Sequence, residues 1–113
     1  MGAQFRRLSR GCGAQLHSRD QIVGPESNDL VLQLRKRGVS QVLLAGMAAN
    51  LCVEGHLREL VEQGFEVVVV RDATVGPRLP EGDGYLSALI NFRFLASATW
   101  STDEALAALR ESK

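Results

Sequence analysis

The stretch "QVLLAGMAANLCVEGHLRELVEQGFEVVVV", residues 41–70, decides the fold. "QVLLA" (41–45) is a short apolar run that meets a glycine, the pattern of a buried strand. "EVVVV" (66–70) is continuously β-branched, as a strand covered on both faces should be, and it is expected to end at Asp72. Between them Val53, Leu57, Leu60 and Val61 recur at helical spacing, with Asn50 as the expected cap and Gly64 as the stop. A strand, a helix and a strand in this order join parallel strands, because a crossover of about 20 residues is too long for a hairpin.

Upstream, Ser27 or Asn28 is placed to cap a helix over 28–37 that carries Leu30, Val31 and Leu34 and ends in "RKRG", with Gly38 closing it. Downstream, "GYLSALINFRFL" (84–95) has helical spacing and "SATW" (97–100) suits a short strand. "STDEALAALRESK" opens with a capping residue and two acids. Helix and strand alternate throughout, which implies an α/β fold on a parallel sheet. Three strands leave two open edges, so the sheet reads as truncated, part of a larger one. Residues 1–24, with glycines at 2, 11, 13 and 24, read as an irregular segment prone to disorder, and 25–113 as the C-terminal half of a domain.

The 113 residues carry 13 basic and 13 acidic side chains, so no electrostatic field favours nucleic acid. No apolar run approaches the roughly 20 residues that span a bilayer, and the first residues lack an apolar signal core. The two cysteines, Cys12 and Cys52, have no zinc-binding spacing. A cytoplasmic protein with reduced thiols, no metal, no cofactor, and neither nucleic-acid nor membrane partner is the expectation.

On a helical wheel Cys52 lies roughly 120° from the apolar centre, in line with His56, Glu59 and Gln63. It follows a strand's carboxyl end, where open α/β sheets bind ligands. The first-turn amides of its helix favour a thiolate there. The layout of strand, tight turn, nucleophile and helix is that of a nucleophile elbow. Gly46, Ala48 and Ala49 leave room for a substrate at the backbone, and amides of such a turn can hold an oxyanion.

"LLAGMAANLCVEGHLRELVEQGFEVVVVRDATVGPR" (43–78) resembles the core signature of the isochorismatase-like cysteine hydrolases, which include nicotinamidases, N-carbamoylsarcosine amidases and isochorismatases. The likeness extends over about Gly24 to Ala107. It implies a Rossmann-like three-layer α/β/α fold and a small-molecule substrate, an amide, carbamoyl compound or isochorismate-like enol ether. Cys52 would attack a carbonyl or amide carbon, the backbone amides of Ala48 and Cys52 would hold the oxyanion, and Met47–Ala48 would be a cis peptide. Gly46, Met47, Ala49 and Asn50 would complete the site turn. A homo-oligomer is the expected assembly.

The same resemblance requires an aspartate and a lysine upstream of the cysteine. Asp20 follows "LHSR", Asp29 suits a helix's first turn, and Lys36 suits a helix's last turn. "GAQLH" (13–17) is similar to a stretch that normally precedes the lysine strand. The second expectation is therefore a non-catalytic remnant that acts as a subunit or interaction module. His56 reads as a surface histidine and Asp72 as a cap of the loop after it. Arg78, Tyr85 and Phe92 are expected to line a pocket or an interface without a substrate role.

Overall fold

The computed structural model describes residues 29–112. The readings of residues 1–24, Cys12, "GAQLH", Asp20 and the Ser27 or Asn28 cap lie outside them. The described chain runs α1 (Leu30–Lys36), β1 (Gln41–Met47), a π-helical turn (Ala49–Val53), α2 (Glu54–Glu62), β2 (Glu66–Val75), β3 (Arg78–Leu79), β4 (Gly82–Asp83), α3 (Gly84–Leu95), β5 (Ala98–Trp100) and α4 (Thr102–Glu111). The helix, strand and helix alternation read from the sequence is present, and β1, β2 and β5 form a parallel sheet in that order.

Alternation along the strands separates two cores. Val42, Val67 and Val69 join Leu30, Leu34, Val53, Leu57, Leu60, Ala88 and Phe92 in one apolar cluster, so α1, α2 and α3 cover one face. Val68 and Val70, also buried, point the opposite way, where α4 packs on β2 and β5 and buries Ala105. The three layers follow directly. Arg35 fastens α1 to the end of α2 by donating to the Gln63 carbonyl at 2.8 Å. Its guanidinium also lies 5.1 Å over the Phe65 ring, within cation–π range. Among the described residues no helix is long and apolar enough to cross a membrane.

Four local expectations need correction. Asp29, expected in the first turn of α1, occupies its cap position, and its carboxylate accepts from Gln33 Nε2 at 3.1 Å rather than from a first-turn amide. Asn50 does not cap the second helix: the chain enters helix at Ala49 through a π turn whose cap residue is Ala48. Strand β2 does not end at Asp72 but continues to Val75. The loop after it contains the two-residue antiparallel ribbon β3–β4, too short to leave a period in the sequence.

The extension of β2 contains a break in register. Leu44 pairs with Val69, but two residues later Gly46 pairs with Thr74, so β2 bulges over 70–73 before rejoining β1. The bulge releases side chains toward the last helix. Arg71 Nη1 donates to the Thr99 carbonyl at 3.1 Å and to Glu104 Oε1 at 3.2 Å. Asp72 Oδ1 accepts from the Thr102 amide at 2.8 Å and from its hydroxyl at 2.7 Å. Asp72 thus caps the start of α4, not the loop that follows it. Ser101 and Glu104 close a capping box around the same helix end, as the sequence "STDE" suggests.

These bonds stabilise ionised carboxylates. Thr102's hydroxyl and amide hold Asp72 below its ordinary range, and the Ser101 amide, then Arg71, do the same for Glu104. A group whose folded value is depressed contributes stability above its unfolded value and loses it as pH falls through the folded one. Urea denaturation should therefore show stability falling below about pH 4, near the unperturbed carboxylate values. Asp72→Asn, which cannot titrate, should flatten part of that fall.

Candidate active site

The site forms where β1 gives way to helix. Gly46 has φ +118°, a conformation that side-chain-bearing residues rarely adopt, and it stands at the register break. Met47–Ala48 is a cis peptide, as the resemblance implies. Ala48 is extended, and its carbonyl accepts from the amides of Leu51 at 3.0 Å and Val53 at 3.1 Å. The turn therefore closes on Ala48. It places Ala49 and Val53 in the core, leaves Leu51 outside, and holds Cys52 half-buried between them.

The wheel reading of Cys52 agrees with this placement. Cys52 lines a cavity of about 210 Å³ together with Leu44, Ala45, Gly46, Met47, Val53 and His56. Its position at the carboxyl end of β1 is where open α/β sheets receive ligands.

His56 is not the surface residue the sequence suggested. It is 8% exposed, and its Nδ1 lies 2.7 Å from the Cys52 carbonyl oxygen. It is buried on α2 with Leu57 and Leu60 and lines the same cavity as the end of β1. The only available signal was the spacing from Cys52, one helical turn, which by itself describes surface neighbours equally well.

Asn50 ties the site turn to the β2–α3 connection. A Cβ on Gly84 would meet Asn50 Nδ2 at 2.6 Å and the Pro77 carbonyl at 2.8 Å, so the amide lies against bare backbone. Asn50 Oδ1 is buried with no protein partner among the described residues. Asp83 caps α3 beside this contact, accepting at Oδ1 from the Tyr85 amide at 2.9 Å and the Leu86 amide at 3.4 Å. Burial pushes the Asp83 carboxyl up, but those amides and Arg78 outweigh it and hold the group below its ordinary range.

A second cavity, about 270 Å³, is lined by Thr74, Val75, Gly76, Arg78, Asp83 and Tyr85. Thr74 and Val75 are the ladder partners of Gly46 and Met47, so residues of the two linings pair across β1 and β2. Arg78 and Tyr85 line it, as expected. Phe92 does not, being wholly buried in the core. Among the described residues no lysine lines either cavity. Among the described residues no three His, Cys, Asp or Glu side chains group as metal ligands.

A parallel α/β sheet with a half-buried cysteine on a tight strand-to-helix turn defines a class of cysteine-bearing α/β proteins, and sequence comparison narrows it. The family model described as the isochorismatase domain matches residues 13–99, and the chain belongs to that family. The match begins upstream of Gly24 and includes "GAQLH". The uncharacterized isochorismatase family protein YddQ of Bacillus subtilis is 31% identical over 85 residues, 70% of this chain and 47% of that protein. The uncharacterized isochorismatase family protein YecD of Escherichia coli O157:H7 is 44% identical over 45 residues, 40% of this chain and 24% of that protein.

Among solved structures, an isochorismatase family protein from Burkholderia thailandensis superposes with a TM-score of 0.67 and 33% identity over 78% of this chain and 45% of its own. A nicotinamidase of Bacillus subtilis gives 0.56 and 30% over 65% and 38%. The chain thus spans less than half the length of these relatives.

The Gly84 contact yields a direct test of how the turn is held. Gly84→Ala should force Asn50 and the Pro77 carbonyl apart and cost about 1–3 kcal/mol, the usual effect of overpacking, in urea denaturation. The same change in Gly38, where a Cβ meets nothing within 4 Å, would act through its left-handed backbone alone.

Proposed function

We propose that the chain is a cysteine hydrolase whose nucleophile is Cys52 and whose substrate is a small amide, carbamoyl compound or isochorismate-like enol ether. The observation that carries this reading is the placement of Cys52 at the carboxyl end of β1, in the first helical turn and facing a cavity. Membership of a family whose solved members include nicotinamidases supports the substrate class. In an amide or carbamoyl substrate the thiolate attacks the carbonyl carbon, and the amides of Ala48 and Cys52 receive the developing oxyanion. Collapse expels the amine, protonated as it leaves, and water then releases the acyl group from sulfur. Gly46, Met47, Ala49 and Asn50 shape the turn that holds these amides in place.

A second reading, a non-catalytic subunit or interaction module, has one observation in its favour. Among the described residues, neither an aspartate nor a lysine, the partners that the resemblance calls for, lines the Cys52 cavity.

The two readings part on one experiment. With a panel of small amides and carbamoyl compounds, Cys52→Ala should lower hydrolysis by at least about a thousandfold, the scale of removing a nucleophile. Cys12→Ala should leave it unchanged. Intact-protein mass spectrometry should catch an acyl adduct on Cys52. Undiminished turnover in Cys52→Ala would refute the nucleophile, and a folded parent chain inert to the whole panel would favour the non-catalytic reading.

A further inference from the structure

Charged residues make up 23% of the sequence, yet from Gln41 to Val53 there is no acidic or basic side chain. This uncharged stretch supplies most of the lining of the Cys52 cavity, through Leu44, Ala45, Met47 and Val53. Among the described residues His56 is the one other ionisable group in that lining, and its Nδ1 lies 2.7 Å from the Cys52 carbonyl oxygen, engaged with the turn's own backbone. The exposed side chains that continue the wall are apolar as well. Met47 is 72% exposed and its ladder partner Val75 58%.

The nearest charges along the chain are occupied elsewhere. Glu54 accepts from Arg58 at 2.8 Å and from Asn91 of α3 at 3.2 Å. Arg78 lines the other cavity and donates to Asp83 at 3.1 Å. The sequence as a whole has no net charge, so no general field draws anions toward the thiol. A carboxylate pressed against the Cys52 wall would give up water and gain no cation, which is unfavourable. An uncharged apolar group would gain by burying its surface there.

We propose that the Cys52 cavity takes an uncharged, apolar acyl group, with Ala45 and Met47 as the residues that set this specificity. The substrate is then a neutral amide or carbamoyl compound, not the acid-bearing isochorismate-like enol ether. The inference rests on the reading of Cys52 as nucleophile. It adds to that reading a constraint on what lies beside the reacting carbon: Ala45 and Met47, both exposed on β1, meet the incoming group with no charge of either sign.

The test uses the 113-residue chain with Cys12→Ser, so that Cys52 is the only thiol. Three reagents alkylate it by the same displacement of iodide: anionic iodoacetate, neutral iodoacetamide and apolar N-phenyliodoacetamide. Mass spectrometry gives each rate, which is divided by the rate for the same chain unfolded in urea, so that the reagent's own reactivity cancels. The folded-to-unfolded ratio should rise from iodoacetate through iodoacetamide to N-phenyliodoacetamide, by at least about tenfold overall, the low end of discrimination in an apolar pocket. Ala45→Lys and Met47→Lys should each lift the iodoacetate ratio above the iodoacetamide ratio, and two variants guard against one failing to fold. Ala45→Gln, bulky but uncharged, should keep the parent's order whatever its effect on rate. Equal ratios for the three reagents in the parent would overturn the inference. So would lysine variants that change all three reagents by one factor, the mark of a purely structural effect. If Cys52 in the folded parent resists every reagent, the nucleophile reading fails and this inference fails with it. A reactive Cys52 without the expected order defeats the inference alone.

Discussion

The β1–β2 ladder is the constraint on which the remaining structure depends. Its regular half, from Gln41 with Glu66 to Leu44 with Val69, seats the valines that both helical layers need. Its displaced half, Gly46 with Thr74 and Met47 with Val75, brings two loops to one end of the sheet. A ladder in continuous register would have kept Arg71 and Asp72 beside β1. Because it breaks, those side chains reach the start of α4, and the cysteine turn lies next to the β2–α3 connection.

The site is held from below and from the side. From below, Ala49 and Val53 anchor the π turn in the core, so Cys52 is presented by a rigid element, not by a free loop. From the side, Asn50 rests on the Gly84 backbone, and Tyr85 donates its hydroxyl to the Arg71 carbonyl at 2.8 Å. The β2 bulge, the α3 cap and the cysteine turn are therefore one connected assembly. Two cavities, one lined by Cys52 and His56 and one by Arg78 and Tyr85, draw on paired residues of the same strand ends.

Local signals were legible in the sequence where local physics dominates. The valines of 67–70 announced a doubly covered strand, and Gly38 and Gly64 ended their helices with positive φ. Ser101 and Glu104 spelled out a capping box that the structure forms. What the sequence concealed depends on tertiary placement. Asp72 reads as a loop cap because nothing nearby reveals that Thr102, 30 positions on, is its partner. His56 reads as a surface residue because it lies off the apolar stripe of α2, and nothing local reveals that it lines the same cavity as Leu44, Ala45, Gly46 and Met47 at the end of β1. The resemblance supplied the cis Met47–Ala48 bond, which no periodicity could have indicated.

The π turn has a consequence for how this site can vary. A π turn holds one backbone residue more than an α turn, so the spacing from Ala48 to Leu57 sets both the direction of the thiol and the phase of α2. Deleting a residue there would rotate Leu57 and Leu60 by about 100° and take them out of the core, whatever became of the cysteine. Position 52 can thus exchange its side chain, but it cannot slide along the chain. Chemistry and packing share one residue count, so the site's location is inherited with the fold even where its reactivity is not.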